Sequence, residues 1–119
     1  METGRVALTI MGVMLIVMPA SANLPTPERH PGACIAIYNP SKAMLSVQVL
    51  KPKDYSGLVW KIPPTGSAPA VTLNTLAGPI VSSDGDWDIS VEPAPNKINW
   101  QYLPAKTSSC AGTWYASLK

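Results

Sequence analysis

The chain has 119 residues, enough for one domain, and only 13% of them are charged, with nine Lys and Arg against seven Asp and Glu for a formal net charge of +2. The lysines are scattered, no basic run tracks a phosphate backbone and no aromatic-basic interleaving marks a single-strand platform, so a nucleic-acid partner is not expected. One histidine and two cysteines are too few for a zinc centre, and no cofactor is expected.

The first segment reads as a leader. Arg5 precedes the apolar run "VALTIMGVMLIV" from Val6 to Val17, and "MPASA" then supplies a helix-stopping Pro19 and the small residues Ala20 and Ala22 of an A-x-A cleavage site. The run falls short of the roughly 20 apolar residues that cross a bilayer core. Residues 1–22 are therefore expected to be a signal peptide cut after Ala22, leaving a secreted chain, periplasmic or extracellular, with no stable membrane insertion. Residues 23–33, "NLPTPERHPGA", carry Pro25, Pro27 and Pro31, each of which biases its predecessor towards extended geometry. This spacing predicts a solvated polyproline-like arm in which His30 is an exposed tail residue.

From residue 34 the pattern changes to short alternations. "CIAIY" (Cys34 to Tyr38) leads into the turn "NPSK", with Asn39 and Pro40 at its first two positions. "MLSVQVL" sets Leu45, Val47 and Val49 on one face against Ser46 and Gln48 on the other. "GLVWK", "AVTLNTL", "PIVSS", "WDISVE", "KINWQY" and "TWYASL" follow, separated by turn residues, and thirteen prolines, only Pro19 of them in the leader, exclude long helices. The expected fold of residues 34–119 is all-β, a small β-sandwich or small barrel of about seven to eight short strands. In an oxidising compartment the only two cysteines, Cys34 and Cys110, are expected to form one disulfide from the first strand to the start of the last, pinning edges where a small sheet frays.

The stretch "SSDGDWDISVE" gathers Asp84, Asp86 and Asp88 at alternate positions. Asp84-Gly85 is a strong two-residue hairpin signal, and a hairpin there would pair Ile80 with Ile89 and Val81 with Asp88, placing Ile80, Trp87, Ile89 and Val91 on one face and the carboxylates on a wet one. The alternative use of the three aspartates is a weak calcium site, although calcium takes six to eight oxygens and the stretch lacks a closing glutamate. Acid/base chemistry is not expected, because apart from this cluster and its neighbour Glu92 only Glu28 and Asp54 remain beyond the leader.

Four tryptophans and four tyrosines occur with no phenylalanine, so every aromatic ring has a polar tip. Trp60, Trp87, Trp100 and Trp114 fall at apolar strand positions and are expected in the core. Tyr55, Tyr102 and Tyr115 are the candidates for a binding surface, Tyr115 because it takes the strand face opposite Trp114. A second candidate is the loop Pro63, Pro64, Thr65 and Gly66, whose adjacent prolines lower the ordering cost of being bound. No nucleophile has an oriented base in view, so catalysis is not expected. Together these features point to a non-catalytic binding module for a protein or polysaccharide outside the cytosol, or alternatively to an inhibitor of a secreted hydrolase, a protease or lysozyme, that uses the proline-rich loop.

Overall fold

The computed structural model describes residues 22–66 and 68–119; the expected signal peptide, apart from Ala22, lies outside the described residues. The alternating segments become strands because each has apolar side chains at every second position, which only an extended backbone can bury together. Among the described residues they are, in chain order, β1 Ala22–Pro25, β2 Ala33–Tyr38, β3 Leu45–Lys51, β4 Val59–Ile62, β5 Val71–Thr72, β6 Asn74–Thr75, β7 Gly78–Pro79, β8 Val81–Ser82, β9 Asp88–Glu92, β10 Ile98–Leu103 and β11 Gly112–Leu118, with a 3-10 turn at Lys53–Tyr55.

Two sheets enclose the core. The first runs β8-β2-β11-β10, with β5 pairing the same edge of β2 further along; the second runs β1-β9-β3-β4. Their inner faces contribute Ile35, Ile37, Trp114, Ala116 and Leu118 from one side and Leu45, Val47, Val49, Ile89 and Val91 from the other. The expected all-β fold is thus the observed one. Among the described residues it is reached through eleven strands, several only two residues long.

The disulfide forms between Cys34 and Cys110, with Cα atoms 5.5 Å apart. It does not pin an edge, however. β2 and β11 are interior neighbours joined in parallel, with Cys34 opposite Thr113 and Ala36 opposite Tyr115. The bridge therefore cross-links the middle of the first sheet, where β2 is buried on both faces from Ala33 to Ile37.

The segment expected to be a solvated arm is docked. β1 pairs with β9, Leu24 opposite Ile89 and Asn23 opposite Ser90, and Leu24 packs on the core. Proline is compatible with this because β1 is an edge strand, where a missing N–H costs no ladder bond. Beyond it, Thr26 is buried and doubly tied to Trp87: its N–H donates to Trp87 O at 2.8 Å and its Oγ1 accepts from Trp87 N–H at 3.0 Å. His30 is no free tail residue either; its ring stacks on Tyr102 with centroids 3.7 Å apart.

The hairpin expected at Asp84-Gly85 is not formed. β8 pairs with β2 in the first sheet, while β9 lies between β1 and β3 in the second, so residues 83–87 are a crossover between layers. Two flanking partners for β9 outweigh the local turn. Gly85 keeps its positive φ of 79° for a different purpose: a Cβ there would collide with the His30 backbone, which closes over the crossover. The predicted burial of Ile80, Trp87, Ile89 and Val91 nonetheless holds, since face depends on alternation and not on the partner.

"AVTLNTL" is also divided. Leu73 is fully buried between β5 and β6, donates its N–H to Ile35 O at 3.0 Å and accepts from Ile80 N–H at 3.0 Å. β5 thereby hands the edge of β2 over to β8, and β6 and β7 project as a separate hairpin.

Candidate functional site

The outer face of the first sheet is built from the polar half of the same alternations. β10 exposes Asn99, Gln101 and Leu103, and β11 presents Tyr115 and Ser117 half-buried. Register aligns them in rows: Asn99, Ser117 and Tyr38 lie side by side across β10, β11 and β2, with Gln101, Tyr115 and Ala36 in the next row. Large and small residues therefore alternate diagonally, Tyr115 beside the small Ser117 and Ala36, Tyr38 beside Ser117. The result is a groove of about 520 Å³ lined by Tyr38, Asn99, Gln101, Leu103, Tyr115 and Ser117 and roofed on one side by Ala68, Pro69 and Ala70. Tyr38 is fixed as a wall because its hydroxyl donates to Gly66 O at 2.7 Å. Among the described residues no Asp, Glu, Lys, Arg or His lines the groove.

Of the three candidate tyrosines only Tyr115 reaches this groove. Tyr55 clips the 3-10 turn to β8, its hydroxyl accepting from Val81 N–H at 3.0 Å and donating to Val81 O at 3.2 Å. Tyr102 faces inward across from Trp114, between His30 and the core, and its hydroxyl fills the space that a side chain at residue 112 would need, which is why Gly112 stands there. The two rings are used by the fold in different ways: Tyr55 ties its turn to β8 through its hydroxyl, and Tyr102 packs on the inner side of β10. Trp87 and Trp114 are core residues as expected, while Trp60 and Trp100 are only partly buried; Trp60 donates its indole N–H to Asn74 O at 2.9 Å.

The Pro63–Gly66 loop is braced from beneath. Thr65 N–H and Oγ1 both donate to Asn39 O, at 2.9 and 3.0 Å, and Oγ1 stands 3.2 Å from the Asn39 N–H. Asn39 itself is fully buried, its amide donating to Ala43 O at 2.8 Å and Ile62 O at 3.1 Å and accepting from Ser41 N–H and Ser41 Oγ. Pro63 and Pro64 remain exposed above this frame.

The aspartates are spent on structure. Asp86 accepts from Lys51 Nζ at 2.8 Å and Thr26 Oγ1 at 3.1 Å, with Arg29 Nε 3.7 Å away. The hydrogen bond from Lys51 holds its carboxyl below the usual carboxylate range. Lys51 arrives there because the β3–β9 register slips by a bulge between Asp88 and Ile89. Asp84 is also held low, chiefly by the Asp86 N–H. Asp88 moves the other way, pushed up by burial and then by the charge on Asp86. Among the described residues no group of three or more His, Cys, Asp or Glu is disposed to hold a metal ion, and Asp84, Asp86 and Asp88 do not converge as a calcium site requires.

Sequence reasoning missed Tyr38, Asn99, Gln101, Leu103 and Ser117 as groove residues. The alternation "KINWQY" did mark Asn99 and Gln101 as one face; what it could not supply was the neighbour across which they lie. Among the described residues no helix is long and apolar enough to cross a membrane. Searches with the sequence and the fold find no matching family model, no matching curated protein and no matching solved structure.

Proposed function

We propose that this is a secreted, non-catalytic binding module whose ligand is an uncharged glycan segment seated in the groove over β10 and β11. The observation that carries this reading is the lining itself: an aromatic ring, Tyr115, beside the exposed amides of Asn99 and Gln101, with no charge among them. A tyrosine face packs against the C–H surface of a sugar ring, while planar amides can donate and accept towards neighbouring hydroxyls. A phosphorylated or sulfated ligand would find no cation there, and a cationic one no carboxylate. Export fits the intrachain disulfide, which persists outside reducing compartments. The test is titration of the disulfide-intact protein with neutral oligosaccharides derived from envelope and extracellular polysaccharides. We expect binding that Tyr115→Ala weakens by about tenfold or more, roughly 1.4 kcal/mol, with folding intact; no binding to any neutral glycan would overturn the reading.

A second reading is favoured by the bracing of Pro63–Gly66. Two exposed prolines on a loop fixed by Asn39, Thr65 and Tyr38 make a rigid projection of the kind that can plug a hydrolase cleft. A panel of secreted proteases and lysozymes discriminates it: loss of activity at near-stoichiometric protein supports inhibition, and full activity removes it.

A further inference from the structure

The four margins of the two sheets are not equivalent. β1 is four residues long and ends in Pro25. β4 is four residues long and presents Lys61, and its Trp60 is tied across to Asn74. β5 and β8 have two residues each. Short length, proline and lysine are the devices by which proteins keep sheet edges from pairing. β10, the remaining margin, has six residues, "INWQYL", with no proline, glycine, charge or bulge.

Which backbone groups of β10 face outward follows from its ladder. Lys97 and Lys119 exchange both bonds, Lys97 N–H to Lys119 O at 3.3 Å and Lys119 N–H to Lys97 O at 3.0 Å. Bonded and non-bonded pairs alternate along an antiparallel ladder, so Asn99–Ser117, Gln101–Tyr115 and Leu103–Thr113 are the bonded pairs that follow. Ile98, Trp100 and Tyr102 therefore turn their N–H and C=O groups to the margin, where no strand pairs with them among the described residues.

We infer that β10 pairs antiparallel with β10 of a second copy of this chain, about a two-fold axis at Trp100. The sequence is self-complementary in that register, and no charge opposes it. Trp100 faces its own copy and exchanges both bonds with it, and Ile98 faces the second copy's Tyr102 on either side, so every outward group of the three residues is bonded. Trp100, Ile98 and Tyr102 are half-buried on the core side, and there the pairing sets ring against ring and apolar against aromatic, both favourable cross-strand pairs. On the outer side Asn99 faces the second copy's Gln101, and amides both donate and accept, so identical chains satisfy each other. A strand bearing Lys61, as β4 does, would meet like charge in the same symmetry. The first sheets of two molecules then become one continuous sheet, and their grooves abut along it. This inference stands on the margin of β10 and is independent of what the groove binds.

Sedimentation of the disulfide-intact protein over a concentration series tests it. We expect reversible dimers, and N99K/Q101K, which sets lysine opposite lysine on both sides of the axis while leaving both exposed in the monomer, to weaken dimerisation by about tenfold or more with a melting temperature unchanged at dilutions where both proteins are monomeric. The register has its own check. Mixing N99C with Q101C should yield a covalent dimer on a non-reducing gel, because non-bonded antiparallel partners bring Cα atoms to about 4.5 Å, whereas neither variant alone should cross-link. A protein that stays monomeric at about millimolar concentration, where even a weak association of ~4 kcal/mol would show, overturns the inference, as does an N99K/Q101K variant that dimerises like the parent. Cross-linking equal in single variants and mixture overturns the register.

Discussion

The crossover at residues 83–87, with the strand ends Ser82 and Asp88 that flank it, and the outer face of β10 and β11 are both rich in polar side chains, yet they differ in what those side chains touch. In the crossover, Asp86 is held by Lys51 and Thr26, Ser82 Oγ stands 2.9 Å from both Asp84 Oδ1 and Asp86 O, and Gly85 is closed over by His30. Across the sheet, Asn99 and Gln101 point away from the body, and among the described groove walls Tyr38 alone has its side chain hydrogen-bonded within the chain. The lesson is that a dense cluster of chemical groups within the chain's own sequence is often the glue of a crossover. A ligand needs groups that folding has left unspent.

Substitutions should separate the two regions by whether they cost stability or binding. The largest effect is expected in the sheet that carries the groove, where the Cys34–Cys110 bridge closes a separation of 76 residues between β2 and the residues just before β11. Replacing both cysteines by serine should lower unfolding free energy by about 4.5 kcal/mol on the chain-entropy account, measurable by denaturant titration; a loss below about 2 kcal/mol would mean that the parallel β2–β11 ladder holds the sheet unaided. Next comes Thr26→Val in the crossover. It removes the hydroxyl that satisfies the buried Trp87 N–H, and should cost about 1–3 kcal/mol, whereas a silent substitution would show that the docked segment frays in solution.

Asp86→Asn sharpens the same contrast through pH. The Asp86 carboxyl is held below its unfolded value, so the stability it contributes is present above pH ~4 and is lost as pH falls through the lower folded value. Asp88, whose carboxyl is pushed up, works against this by favouring the folded state once protonated. The Asp86→Asn substitution should therefore cost up to about 1 kcal/mol at neutral pH, since the Lys51 partner is largely solvated, and should flatten the acid limb of the stability profile. An unaltered limb would show that Asp84 and not Asp86 carries it. Smallest of all, Tyr115→Ala should shift stability by no more than about 0.5–1 kcal/mol, because its ring stands on an open face while its neighbours Trp114 and Ala116 do the packing. A larger loss would class Tyr115 with Tyr55 and Tyr102 as a structural ring.

Much of the strand content was legible before any coordinates. "MLSVQVL" and "TWYASL" each declare a buried and an exposed face, and the observed burial follows them residue by residue. Less was legible in "NLPTPERHPGA", whose prolines describe a backbone shape that suits a solvated arm and an edge strand equally well. In "SSDGDWDISVE" the Asp84-Gly85 signal marks a place where the chain does bend, with Gly85 at a φ of 79°, but the hairpin expected from it is absent, because a local signal says that the chain bends, not which sheet it enters next. The groove was half legible: Tyr115 announced itself by standing opposite Trp114, and Asn99 and Gln101 by alternation, but Tyr38 looked like the end of a strand.

By itself the sequence determined the period of the long alternating strands, the pairing of its only two cysteines and much of the core, Trp87 and Trp114 included though not Trp60 and Trp100, since these follow from side-chain alternation and from arithmetic. Tertiary structure alone decided that residues 22–32 dock, that β2 and β11 run in parallel, that β9 leaves its neighbour in sequence for another sheet, and that β10 stands at an unguarded margin. The physical reason is one of range. Which way a side chain faces is settled within two residues along the backbone, whereas which strand it lies beside depends on contacts between segments tens of residues apart, competing for the same rows of N–H and C=O groups.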